Sequence, residues 1–231
     1  MTPLDIVYTP LDTDPVPDVD LDKLFEWINI HKPLQILPKR DDASESMSAE
    51  QYPWNIIYPR YQFKWYADFD QLFPELTDFI CNSFCVDVED IQDVVMLPLK
   101  KDFIGTGFFH SDPDECGIRF YLANNEPKDF LLIKETRLPY TVRDQMLNNT
   151  RQDFKDHVHS ARLLKSNQAF FINNVRAIHA VNSTQPNPLR IAVTITIPKL
   201  LKDMPKSLEQ LVVDSAVKYK EYSILWNKDI S

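Results

Sequence analysis

Glycine is almost missing from this chain. Gly105, Gly107 and Gly117 are the only three in 231 residues. A loop that cradles phosphate needs several glycines close together, so that backbone amides can approach the ligand, and that class of nucleotide site is excluded. Cysteine is equally scarce. Cys81 and Cys85 are four apart on an expected helix and Cys116 stands alone. Without a Cys-x-x-Cys pair they do not describe a structural zinc site, and they read as reduced thiols in a cytoplasmic compartment. Basic residues are outnumbered, 25 Lys and Arg against 34 Asp and Glu, for a net charge of −9. That balance argues against a nucleic-acid backbone as the main partner. No apolar run approaches the length of a membrane span, and Met1-Thr2-Pro3-Leu4-Asp5 lacks the basic and apolar regions of a signal peptide. No internal repeat is visible. The expectation is a soluble cytoplasmic protein.

A hydrophobic fraction of 44% and a charged fraction of 26% are those of an ordinary globular domain, and 231 residues suffice for one real core. The 17 prolines predict rigid loops between strands. Residues 1–93 are read as N-terminal helices and aromatic strands. Up to Val19 the density of Pro and Asp suggests an extended arm. Leu21, Leu24, Phe25 and Ile28 at helical spacing, capped by Asp20, predict a short helix. Residues 39–51 read as a polar loop, and the aromatics between Tyr52 and Tyr66 as a strand pair packed on the core. A competing reading makes those aromatics a substrate platform. Phe69, Leu72, Phe73, Leu76, Phe79 and Ile80 predict a second helix that restarts at Pro74. Residues 94–198 form the strand-rich core. Within it Asp93–Leu99, Gly117–Leu122, Phe130–Lys134, Gln168–Ile172 and Arg190–Ile197 are expected strands. The second and third of these are joined by the turn at 124–128. The polar segment 135–165 is longer than a connection needs and reads as a lid-like insertion. His31, His157 and His159 read as solvated. Residues 199–231 hold an amphipathic helix carrying Leu208, Leu211, Val212, Ser215 and Tyr219.

The chemistry concentrates in three places. His110 and Asp112 are two apart after a run of strand-formers, so on an extended strand both leave one face, and Pro113 then ends the strand. An imidazole and a carboxylate so placed can hold two positions on a first-row metal, and His179 can supply a third. Two His and one carboxylate leave the opposite face of the metal open, which suits non-haem Fe(II). Eleven residues after His179, Arg190 opens a strictly alternating strand. Its polar positions (Arg190, Ala192, Thr194, Thr196) suit the lining of a small wet cavity, where a guanidinium fork takes a carboxylate through two parallel hydrogen bonds.

The order His-x-Asp, distal His, then Arg resembles the Fe(II)- and 2-oxoglutarate-dependent oxygenase superfamily over roughly residues 94–198. The resemblance implies a mainly β fold with flanking helices, a double-stranded β-helix (jelly roll, cupin-like), within a single domain over 1–231. It implies Fe(II) held by His110, Asp112 and His179, with 2-oxoglutarate and O2 as co-substrates. Arg190 would bind the distal carboxylate of 2-oxoglutarate. Many members carry Ser two residues after that Arg, whereas this chain has Ala192, so hydroxyl help falls to Thr194 or Tyr121. Arg119 and Tyr121 share one strand face. They are co-substrate contacts if that face is inward, and an outward polar face is the other reading.

The implied activity is hydroxylation of a C–H bond in a small amino-acid-like molecule or a protein side chain, with release of succinate and CO2. Desaturation and demethylation are open to the same centre. The alternative is a non-catalytic jelly-roll or cupin-like protein that binds a metal or ligand without 2-oxoglutarate.

Overall fold

The computed structural model describes residues 1–31, 61–63, 71–86, 93–99, 105–106, 116–122, 131–135, 159–173, 177–183, 190–196 and 204–226. The architecture is mainly β, with every strand pairing antiparallel. The strands are β1 (Ile6–Pro10), β2 (Tyr61–Phe63), β3 (Asp93–Leu99), β4 (Gly105–Thr106), β5 (Cys116–Leu122), β6 (Leu131–Glu135), β7 (His159–Ala161), β8 (Phe170–Asn173), β9 (Ala177–Ser183), β10 (Arg190–Thr196) and β11 (Ile224–Leu225). Among the described residues the helices are α1 (Leu21–His31), α2 (Pro74–Phe84) and α3 (Lys206–Lys218). One sheet has seven strands in the order β11-β1-β8-β5-β10-β3-β2, and the other has four in the order β4-β9-β6-β7.

The pairings from β3 to β10 are nested. β3 pairs with β10, β4 with β9, β5 with β8, and β6 with β7. The first member of each pair alternates between the large and the small sheet, so this stretch is one long hairpin folded back and forth across two layers.

The large sheet uses both faces. Ile118, Phe120 and Leu122 alternate along β5 on the face covered by helices. Phe120 meets Phe79 edge-on at 5.4 Å between ring centroids, and Phe84 at 6.4 Å. Leu76, Ile80, Leu208 and Val212 complete that core from α2 and α3, and Leu24 and Trp27 reach it from α1. On the opposite face, Tyr8, Phe170 and Ile172 pack with Ile133, Ala161, Leu163 and Ala177, which lie on or beside the small sheet. The two sheets therefore face one another across this second core. The hydroxyl of Tyr8 donates to the Arg162 carbonyl at 2.9 Å and ties β1 to the segment after β7.

The helix starts follow local chemistry. Asp20 caps α1 by accepting the Lys23 amide at 3.1 Å. Pro74 occupies the first turn of α2, where no amide is needed. Cys85 ends α2 in the left-handed region at φ 54°. The end of α3 is tied to the exit of β1, where Lys218 Nζ lies 2.7 Å from both Asp12 oxygens and Tyr219 donates to Asp12 at 2.8 Å.

Three expectations change. The segment before Val19 is not merely an extended arm, because its Ile6–Pro10 portion is a wholly buried strand between β11 and β8. Its run of strand-formers outweighs the surrounding prolines and aspartates. The strands β5 and β6 are not a pair, since β5 lies in the large sheet between β10 and β8 and β6 in the small one. The segment 135–165 begins at the last residue of β6 and includes β7, with Ala161 and Leu163 buried in the inter-sheet core. Its final part thus belongs to the core. Residues 136–158, the loop at 39–51 and most of the aromatic stretch lie outside the described residues.

Candidate functional site

The candidate site lies between the sheets, where β9 of the small sheet faces β5 of the large one. His179 is the third residue of β9, opposite Ile133 of β6. It is 1% exposed. Its Nδ1 lies 3.3 Å from the Ala177 carbonyl and its Nε2 lies 3.2 Å from Nη1 of Arg119. A carbonyl only accepts and a guanidinium only donates. The two contacts together assign the neutral tautomer, with the proton on Nδ1 and the lone pair on Nε2.

Arg119 projects from the middle of β5 on the face opposite Ile118 and Phe120. Its contact with His179 settles the direction of that face, which is inward. Strand register then places the other candidates. Thr194 is opposite Arg119 and Ala192 is opposite Tyr121, so positions 119, 121, 192 and 194 share the inward face. Arg190 is opposite Leu99 at the start of β10 and falls on the same face by alternation. Four residues of strand separate the level of Arg190 from that of Thr194 and Arg119, about 13 Å. Two arginine positions therefore mark the face at different heights, with Tyr121 and Thr194 between or beside them. Phe170 stands opposite Arg119 on its other side, so an aromatic flanks the guanidinium strand.

His110 and Asp112 lie outside the described residues, in the stretch between β4 and β5. His179 is the described member of the expected metal triad. Among the described residues no group of three His, Cys, Asp or Glu could hold a metal ion. His159 is also opposite Ile133, on the far side of β6, and is exposed at the sheet edge. That position agrees with the solvated reading.

The imidazole itself fits a metal. Ligating histidines commonly donate their second ring N–H to a carbonyl, which fixes the ring and leaves the other nitrogen as the ligand. Ala177 plays that part for His179. A backbone carbonyl leaves no mark in a sequence, and the Arg119 contact depends on register between strands of different sheets, so neither was readable beforehand.

No protein-family model and no curated protein sequence matches the chain. Among solved structures it is similar to EvdMO1 (13% identity, TM-score 0.42), over 84% of this chain and 48% of that one. The chain thus spans about half the length of EvdMO1. It is also similar to EvdO2 from Micromonospora carbonacea var. aurantiaca, solved in complex with 2-oxoglutarate (12% identity, TM-score 0.39, covering 89% and 92%). A third is HygX from Streptomyces hygroscopicus, solved with nickel, 2-oxoglutarate and hygromycin B (9% identity, TM-score 0.32, covering 66% and 88%).

Proposed function

We propose that this chain is an Fe(II)- and 2-oxoglutarate-dependent dioxygenase built on a double-stranded β-helix. The observation that carries the reading is the nested pairing of β3 through β10 with His179 inside it. Eight strands paired outermost to innermost, and alternating between two facing sheets, support the reading of a jelly roll. In it His179 lies on β9, facing inward, and Arg190 opens the next strand.

In this reading His110, Asp112 and His179 hold the metal. The β4–β9 register sets Gly105 opposite Ser183 and Thr106 opposite Asn182. When bound, the metal with 2-oxoglutarate supplies the activation of O2, with release of succinate and CO2. The chain's own residues bind and orient. Ala177 fixes the His179 ring, and Arg190 holds the distal carboxylate. Thr194 and Tyr121 supply the hydroxyls that Ala192 lacks, and the apolar residues Tyr8, Phe170 and Ile172 keep water from the inter-sheet space. The substrate is a small amino-acid-like molecule or a protein side chain, and hydroxylation is the outcome.

Anaerobic thermal unfolding gives the first test. Fe(II) and 2-oxoglutarate together should raise Tm more than either alone, because a ligand that binds only the folded chain stabilises it by mass action. Succinate should then form on adding O2 and ascorbate, and mass spectrometry of a treated cell extract should show products 16 Da heavier. A non-catalytic cupin-like protein would bind the metal, ignore 2-oxoglutarate and make no succinate.

A further inference from the structure

We propose that Cys81 and Cys85, at the end of α2, form a reversible dithiol–disulfide site that exchanges with small-molecule disulfides. Cys81 is half-buried at the margin of the helix-side core, and Cys85 is exposed. The pair therefore lies away from the inter-sheet space and is independent of the function proposed above. Neither residue is in a disulfide. The Cys85 amide donates to the Cys81 carbonyl in the last turn of α2. Residues four apart in such a turn share one helix face, with Cβ atoms about 5–6 Å apart. A disulfide needs about 3.5–4.5 Å between the same atoms. The difference is small, and it falls at a helix end, where no following turn holds the backbone.

Cys85 is an unusual residue for its position. It ends α2 at φ 54° and ψ 44°, and among the described residues it is the one non-glycine residue with positive φ. Glycine fills such a position without steric cost, whereas a residue with a Cβ is strained there. The exposed side chain buries nothing that would offset that strain. Its Sγ instead turns back over the last turn and donates to the Asn82 carbonyl at 3.9 Å. The thiol thus lies against the residue that follows Cys81, and it is the one that a dissolved disulfide meets first.

The exchange is balanced by the external disulfide as oxidant. The Cys85 thiolate attacks one of its sulfurs, that S–S bond breaks, and one small thiolate leaves. The Cys81 thiolate then attacks Cys85 Sγ and expels the second. The chain's two thiols lose two electrons and two protons, and the two released thiols carry them away.

The test equilibrates the wild-type chain in mixtures of reduced and oxidised glutathione, followed by acid quench, alkylation, trypsin and mass spectrometry. Trypsin leaves Cys81 and Cys85 together in the peptide 65–100 and Cys116 in the peptide 102–119. With oxidised glutathione in excess, the peptide 65–100 should be lighter by two hydrogens and take up no alkyl group. Dithiothreitol should restore both alkylation sites. Cys81→Ser should instead leave Cys85 joined to glutathione, because no neighbouring thiol expels it. A wild-type peptide alkylated at both cysteines throughout overturns the proposal. So does glutathione retained on wild-type Cys85, or a disulfide from either cysteine to Cys116. Should Cys81→Ser not fold, the wild-type peptide masses decide alone.

Discussion

Thr194 stands directly opposite Arg119 in the β5–β10 ladder, and Arg119 in turn reaches His179 of the other sheet. A hydroxyl-bearing position, a guanidinium and an imidazole thus fall in one line across the space between the sheets. Cross-strand partners lie close enough to act on one ligand. Under the proposed function, that line would give β10 a role beyond the one proposed for Arg190 at its head.

Arg190→Met should raise the Michaelis constant for 2-oxoglutarate about 10- to 100-fold, from the roughly 1.5–3 kcal/mol carried by a charged hydrogen bond. Arg190→Lys keeps the charge, loses the fork, and should lie between. A lowered Tm with an unchanged Michaelis constant would instead make Arg190 a stabiliser of the strand.

Tyr8→Phe removes the hydroxyl that donates to the Arg162 carbonyl and keeps the ring tilted against Phe170, 5.7 Å between centroids. The expected loss is about 0.5–1.5 kcal/mol in a denaturant titration, with the slope unchanged. No loss at all would mean that water replaces the bond without cost.

Phe120→Ala should cost about 3–5 kcal/mol, because the ring is fully buried and touches both Phe79 and Phe84. Phe120→Leu should cost less. The readout is again chemical denaturation. A change below 1 kcal/mol for the alanine variant would place the helix-side core elsewhere.

The cluster at the end of α3 gives a pH signature. Lys218, and then Tyr219, hold the Asp12 carboxyl below its ordinary value by hydrogen bonding. That contribution is present above the ordinary carboxylate range and is lost as pH falls through the lowered value. Asp12 holds the Lys218 ammonium above its ordinary value, and burial, then the bond to Asp12, raises Tyr219. Those contributions are present below their ordinary values and are lost as pH rises through the raised ones. Asp12→Asn should therefore lower Tm slightly between about pH 5 and 9 and converge with wild type at both extremes. Both partners are about half exposed, so added salt should shrink the difference. A Tm gap that persists at pH 2 would contradict this account.

Two strands of the core were legible from residues alone. Asp93–Leu99 is the strand expected, and Arg190–Thr196 ends one residue short of its expected limit. Leu208, Val212 and Ser215 are buried on the helix their spacing predicted. β1 was hidden because it is buried on both faces and shows no alternation, and its partners lie at the opposite end of the chain. The inward direction of Arg119 was undecided for a related reason. A two-residue period says which side chains share a face, and only the tertiary pairing says where that face looks.

The nesting of the strands also sets an order in time. The innermost pair, β6 with β7, closes the shortest loop, and each pair outside it must wait for the one within. β1 waits longest, since Tyr8 finds the Arg162 carbonyl 154 positions later and β11 comes later still. During synthesis β1 emerges long before its partners β8 and β11. Ile6, Val7 and Tyr8 stay unpaired as an apolar segment until β8 and β11 have emerged. Slow folding is the expected consequence of this long-range connectivity.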